Sequence, residues 1–255
     1  MLLAIDCGNT HIVLGVYQGQ KLLSHWRLQS NANRTEDEYL VLIESLLNRE
    51  GLNIKDINHL ALGTVVPTFQ TIFMRLAKKY LNITPLCIDY TTDTGMPIFL
   101  DNPAEAGADR IINAVAAYAV YGGPLIVVDF GTATTFDCVS QKGEFLGGAI
   151  APGIEISQEA LFSKAARLFQ VPLSPPEHVI GKNTQECLQA GLIWGFAGQV
   201  DGLIRRMQQE LGQKAYVVAT GGLAKTIADY TETIDQIDPM LTLEGLRLIY
   251  ERNMS

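Results

Sequence analysis

No stretch of this sequence stays apolar for long enough to span a bilayer, and none reads as low-complexity or disordered. Met1 leads directly into a strand carrying Asp6, so neither a secretory leader nor a membrane partner is expected. Basic residues are scarce. Nineteen Lys and Arg stand against 27 Asp and Glu, a net charge of −8, which argues against nucleic acid as a main partner but leaves room for a local phosphate site. Cys7, Cys87, Cys138 and Cys187 show no Cys-x-x-Cys or His pairing of zinc-site spacing and are expected to be reduced core thiols of a cytoplasmic protein. Two common nucleotide fingerprints are missing as well. Gly181-Lys182 lacks the earlier glycine and following hydroxyl of a P-loop, and no Gly-x-Gly-x-x-Gly follows a strand.

What the sequence does have is one device used twice. Leu125-Ile-Val-Val-Asp-Phe-Gly-Thr-Ala-Thr-Thr135 reads as a buried strand that ends in Asp129, a tight turn at Gly131, and a second strand. Leu2-Leu-Ala-Ile-Asp-Cys-Gly-Asn-Thr10 has the same order: apolar run, Asp-x-Gly, small polar residues. A glycine in such a turn lets backbone N–H groups approach a phosphate, and short hydroxyls add donors. An ordinary hairpin explains one copy equally well; repetition at half the chain length favours two similar domains facing one cleft. Asp6 and Asp129 would be repelled by phosphate, so their expected work is to hold cations that offset its charge.

Between the copies, Lys21 to Leu28 reads as a third strand, and Thr35-Glu-Asp-Glu38 is a capping box before a helix that Gly51 stops. Ile57 to Gly63 is a strand, Pro67 opens a helix through Tyr80, and Leu86 to Tyr90 is another strand. Thr91 to Pro103 is an irregular loop long enough to be functional. Gly107-Ala-Asp-Arg110 then leads into the apolar helix Ile111 to Tyr121, and Gly122-Gly-Pro124 marks a boundary between domains 1–122 and 123–255. In the second half, the dense glycines of Gly147 to Gly153 suggest backbone pressed against a ligand or a neighbouring segment, before a helix to about Phe169. A long helix from Gln185 to Leu211 carries Gly191, Gly195, Gly198 and Gly202 as a thin face for helix contact, within the fold or across a dimer. The strand Ala215 to Ala219 runs into Thr220-Gly-Gly222, and a last helix covers about Thr242 to Arg252.

Asp109 is the candidate base. If Gly107 sits at the helix start, Asp109 lies in the first turn, where the dipole keeps a carboxylate ionised. A helix-end charge of no further use is the competing reading. Arg110 beside it can fork onto a carboxylate or phosphate, and one carboxylate accepting the proton of an attacking hydroxyl is the usual need of phosphoryl transfer. Gly8, Asn9, Thr10, Gly131, Thr132 and Thr134 are the expected phosphate-gripping groups; Thr184 is either a helix cap or a substrate contact.

The ordered set Asp6-Cys-Gly-Asn-Thr10, Gly107-Ala-Asp-Arg110, Asp129-Phe-Gly-Thr-Ala-Thr134, Gly147 to Gly153, Thr220-Gly-Gly222 and Leu241-Thr-Leu-Glu-Gly-Leu246 resembles type III pantothenate kinase over nearly the whole chain. The resemblance implies an α/β protein of two ribonuclease-H-like (actin-like ATPase) domains, mixed sheets flanked by helices, with a nucleotide cleft between them. It implies ATP-dependent phosphorylation of pantothenate to 4′-phosphopantothenate, the first step toward coenzyme A, with Mg2+ on the ATP. Carried over by position, Asp6, Cys7, Gly8, Asn9, Thr10, His11, Ile12 and Val13 form the first phosphate loop, and Thr132 belongs to the second. Asp109 becomes the proton acceptor within the substrate segment Gly107, Ala108, Asp109 and Arg110, Thr184 a substrate contact, and Asp129 the ligand of a monovalent cation, K+ or NH4+. Leu100 stands where many relatives have a substrate-touching tyrosine. Family members are homodimers. From the residues alone, a nucleotide-binding regulator and a phosphate-releasing hydrolase of the same superfamily stay open as other classes.

Overall fold

The computed structural model describes residues 1–165 and 167–254, which pack into two units. One holds 1–96, 100–116 and the chain from Leu241 onward; the other holds 97–99 and 117–240.

In the first unit, β1 (Leu2–Cys7) is central. It pairs antiparallel with β2 (His11–Gln18), which pairs antiparallel with β3 (Lys21–Gln29). On its other side it runs parallel to β4 (His59–Thr64), which is followed by the short β5 (Leu86–Ile88), in the order β3-β2-β1-β4-β5. A strand with neighbours on both edges and cover on both faces must be apolar throughout, and Leu3, Ala4 and Ile5 have no exposed surface. One face packs on α1 (Glu36–Arg49) and α2 (Pro67–Leu76) through a core that includes Leu3, Ile5, Tyr39, Ile43, Leu47, Phe69 and Phe73. The expected capping box starts α1, with the Thr35 hydroxyl accepting from the Glu38 N–H and the Glu38 carboxylate accepting from the Thr35 N–H. The helix opened by Pro67 runs as far as its apolar spacing suggests, but its last turn, over Ala77–Leu81, widens from α to π before Asn82 closes it in the left-handed region.

The other face is built from residues too small to fill it. A side-chain carbon on Gly15 would lie 2.9 Å from the Leu243 side chain, and one on Gly63 would lie 2.6 Å from that of Ile112. Into this space fit the start of α3 (Ala108–Tyr121) and the C-terminal helix α7 (Leu241–Met254), whose Gly245 sits against the Ile112 carbonyl. Against the expected division at 122/123, the segment from Leu241 onward therefore packs with the first unit, since its apolar face is complementary to the glycines of β2 and β4.

The second unit repeats the plan. Its central strand β6 (Leu125–Phe130) pairs antiparallel with β7 (Ala133–Val139), which pairs antiparallel with β8 (Phe145–Pro152). It runs parallel to β9 (Tyr216–Thr220), which is flanked by β10 (Gln236–Ile237). The order β8-β7-β6-β9-β10 matches the first sheet strand for strand. The helices α4 (Ile154–Lys164), α5 (Thr184–Leu211) and α6 (Ala224–Ala228) cover a core of Ile126, Val128, Phe136, Ile193, Val200, Val217 and Ile227. The glycine-rich run is strand β8. A carbon on Gly148 would fall 1.6 Å from the Phe136 carbonyl, so close sheet packing accounts for that glycine. The Gly191, Gly195, Gly198 and Gly202 face of α5 meets nothing within 4 Å, and contact within the fold is not its use. Cys187 is exposed and Cys87 only half-buried, unlike the core thiols Cys7 and Cys138. Among the described residues no helix is long and apolar enough to cross a membrane.

Candidate active site

Each unit ends its central strand in the same way. In the first, the chain turns over Gly8 to His11, with the Gly8 N–H donating to the His11 carbonyl at 2.9 Å. In the second it turns over Gly131 to Ala133, with the Gly131 N–H donating to the Ala133 carbonyl at 3.0 Å. Strand register pairs Cys7 with Ile12 and Phe130 with Thr134, so the first turn is one residue longer than its counterpart. Asn9, Thr10 and His11 are exposed at the first turn, and Gly131 and Thr132 at the second. Cys7 and Ile12 point into the core, which leaves them only backbone groups to offer a ligand. Thr134 is 1% exposed, so its hydroxyl is turned inward and does not join the donors expected of it.

Asp6 and Asp129 are both half-buried at the ends of their strands. The backbone of Gly221 passes close over Asp129. A carbon on Gly221, whose φ is +93°, would lie 2.4 Å from Asp129 Oδ1 and 2.6 Å from the Phe130 carbonyl oxygen. Only glycine lets the backbone pass that close to these two oxygens. No group of three or more His, Cys, Asp or Glu suited to a metal occurs among the described residues.

The segment 100–110 lies in the first unit. Half-buried Leu100 precedes a turn of 3-10 helix over Pro103–Glu105 that Asn102 caps. The Gly107 carbonyl accepts the first helical hydrogen bond of α3 from Ile111, which makes Gly107 the N-cap and Asp109 the second helical residue. Asp109 Oδ1 accepts from the Arg110 N–H at 2.9 Å, and a carbon on Gly107 would fall 2.6 Å from that oxygen. The sequence reading gave the helix dipole the upper hand. Instead burial raises the Asp109 carboxyl above its ordinary range, and the Arg110 N–H and guanidinium only partly offset this. The preceding loop is tied down at Asp93, whose carboxylate meets Arg252 at 2.9 Å and whose carbonyl accepts from Asn253.

Thr184 is the exposed first residue of α5, but the cap is Asn183, whose side chain accepts from the Glu186 N–H. Capping therefore no longer accounts for the Thr184 hydroxyl. Sequence reasoning missed two braces of the first turn. The Ser30 hydroxyl donates to the Gly8 carbonyl at 2.7 Å, and the Thr64 hydroxyl to the Cys7 carbonyl at 3.0 Å. The signal was faint: a small hydroxyl residue at the end of a strand, Thr64, or directly after one, Ser30, in the sheet that carries the turn.

A family model described as type III pantothenate kinase matches residues 2–206. A type III pantothenate kinase of Moorella thermoacetica is 56% identical over 253 residues, 99% of this chain and 100% of the relative. The chain belongs to the type III pantothenate kinase family. That family phosphorylates pantothenate in coenzyme A biosynthesis, and the enzyme is a kinase. Solved structures at lower identity share the fold. A Campylobacter jejuni protein named for the Baf family of transcriptional activators has a TM-score of 0.61 at 20% identity, covering 99% of this chain and 98% of that one. The ROK hexokinase of Thermus thermophilus has a TM-score of 0.55 at 14% identity, covering 100% and 99%. The two mixed, helix-flanked sheets of this pantothenate kinase family member thus have the fold of these solved structures.

Proposed function

We propose that the chain transfers the γ-phosphoryl group of ATP to the primary hydroxyl of pantothenate, with Asp109 as proton acceptor. The observation that carries this is the Asp109 carboxylate at the start of α3, given room by Gly107 and desolvated enough to hold a proton more tightly than an ordinary aspartate. As the hydroxyl oxygen attacks phosphorus, its acidity rises and the proton passes to Asp109. The bond from the γ-phosphorus to the bridging oxygen breaks, leaving ADP. A base whose affinity for the proton is raised takes it more readily, provided it starts ionised. Gly107, Ala108 and Arg110 belong to the same substrate segment; Leu100 and Thr184 are further proposed pantothenate contacts. The Arg110 guanidinium would steady the carboxylate of Asp109 or of pantothenate.

Asp6 to Val13 and Thr132 are proposed to bind the ATP phosphates, through backbone N–H groups where side chains are buried. Mg2+ would arrive with the nucleotide, bound to its phosphate oxygens. Asp129, half-buried at the end of β6, is the proposed ligand of a monovalent cation, which would offset phosphate charge there. A second copy of the chain is the proposed occupant of the open glycine face of α5, and the enzyme would act in the cytoplasm.

The test is ADP release, coupled to an indicator reaction, with and without pantothenate. Replacing Asp109 with Asn should lower pantothenate-dependent turnover by roughly 10² to 10⁴ while ATP binding stays near wild type. Near-normal turnover of the purified variant would remove Asp109 from this role, and ADP release that ignores pantothenate would remove the substrate.

A further inference from the structure

A backbone turn binds phosphate only if its N–H groups face the ligand and its carbonyls face away, because the carbonyl dipole repels the anion. In a trans peptide the C=O of one residue and the N–H of the next point in opposite directions. Whatever holds the carbonyl therefore aims the following N–H. In the first turn Ser30 holds two such carbonyls: its hydroxyl donates to Gly8 at 2.7 Å and its backbone N–H to Thr10 at 2.9 Å. Both peptides are trans, since among the described residues the cis bond is Gly123-Pro124. The Asn9 and His11 N–H groups must then point away from Ser30, on the side where Asn9, Thr10 and His11 are exposed.

The post that carries Ser30 is itself fixed. Gln29 pairs with His11 across β2 and β3, and the next residue, Asn31, is held at both its N–H and its carbonyl by the hydroxyl of fully buried Tyr39. The second unit has a counterpart at the matching place. Gly153, the residue directly after β8 as Ser30 is after β3, donates its N–H to the Thr132 carbonyl at 3.1 Å. A carbon on Gly153 would sit 2.6 Å from the Gly131 carbonyl and 2.4 Å from that of Thr132, so there the backbone itself presses on the turn. The longer first turn leaves a gap at the same point, which a hydroxyl spans.

We infer that Ser30 is a positioning residue for nucleotide binding, aiming the Asn9 and His11 N–H groups at the ATP phosphates by fixing the Gly8 and Thr10 carbonyls. This rests on the reading of the first turn as a phosphate loop. Replacing Ser30 with Ala removes the hydroxyl brace and keeps the backbone one, so the Gly8–Asn9 peptide is free to rotate. The Kd and KM for ATP should then rise about three- to tenfold, the loss expected for one hydrogen bond. The KM for pantothenate and the melting temperature should stay near wild type, and Ser30→Thr, which keeps the hydroxyl, should restore ATP affinity.

Titration of wild type and both variants with ATP, followed by steady-state assays varying each substrate, tests this. Wild-type protein that binds no ATP overturns the phosphate-loop reading and the role of Ser30 together. Wild type that binds ATP, with Ser30→Ala unchanged in ATP affinity, overturns the role of Ser30 alone. So does an equal loss of affinity for both substrates, a collapsed melting transition in the alanine variant, or a threonine variant no better than alanine.

Discussion

The most direct probe of the site is a single carbon added at Gly107. That residue is not among those with positive φ, so alanine adopts its backbone without strain. The new carbon would lie 2.6 Å from Asp109 Oδ1, short of ordinary contact at 3.4 Å by 0.8 Å. Its other neighbours within 4 Å, Arg110 Cδ and Asp109 Cγ, are both at 3.8 Å and tolerate it. The carboxylate is the movable end of a side chain, so it gives way and the helix does not. A reacting group displaced by about 1 Å can lose up to roughly 10²-fold in rate, and we expect Gly107→Ala to lower kcat by about 10- to 100-fold. Stability should change by less than about 1 kcal/mol, because the weaker N-cap preference of alanine and the lower entropy of its unfolded chain oppose each other. The assay is pantothenate-dependent ADP release, with ATP affinity and thermal melting measured in parallel. An unchanged kcat would refute the claim that the carboxylate works from this position; an equal fall in ATP affinity would show that the damage spreads beyond it.

Activity should be higher in potassium than in sodium-only buffer, and Asp129→Asn should remove the difference; equal wild-type rates in the two salts would dismiss the cation on Asp129. Thr35→Ala removes the hydroxyl arm of the α1 capping box, leaving the backbone N–H to the Glu38 carboxylate, and should cost about 1 kcal/mol in urea or thermal unfolding with kcat untouched. Light scattering should show two copies per particle, and Gly195→Leu on the open face of α5 should shift that mass toward a single chain without unfolding it; a wild-type monomer contradicts the dimer.

Where one residue type has one physical use, the sequence was easy to read. The paired Asp-x-Gly turns fixed two repeated sheets, and the capping box and Gly51 bracketed α1, because caps and buried apolar runs depend on neighbours in the chain. Long-range packing was not legible. The β8 glycines contradict strand propensity, and only the structure shows that the Phe136 backbone passes too close to Gly148 for a side chain; Gln236–Ile237 is too short to announce itself; and α7 returns to the first unit because Gly15 and Gly63 leave a space that nothing near Leu241 reveals. At the site the pattern recurs. Asp109 was found by its motif, whereas the direction of its pKa shift depended on burial, and Ser30 was hidden because the partner of its hydroxyl lies 22 residues away.

The buried Asp109 also sets a pH signature of stability that is independent of catalysis. Its carboxyl binds a proton more tightly in the folded chain than in the unfolded one, where it titrates near 3.8. Between 3.8 and the higher folded value, the native state holds more protons than the unfolded state, so stability falls as pH rises through that window. Above the window the loss is complete and constant: at neutral pH the ionised carboxylate works against the fold. Asparagine carries no such charge. Asp109→Asn should therefore be at least as stable as wild type at pH 7, with the gap closing as the pH is lowered toward 3.8, even while its turnover collapses. For the wild type, kcat should fall on the acid side at a higher pH than an ordinary aspartate would give. Melting curves of both proteins across this range decide the matter. A variant less stable than wild type at pH 7 would mean that the carboxylate is held by favourable contacts rather than kept, at a cost to folding, for the proton it must accept.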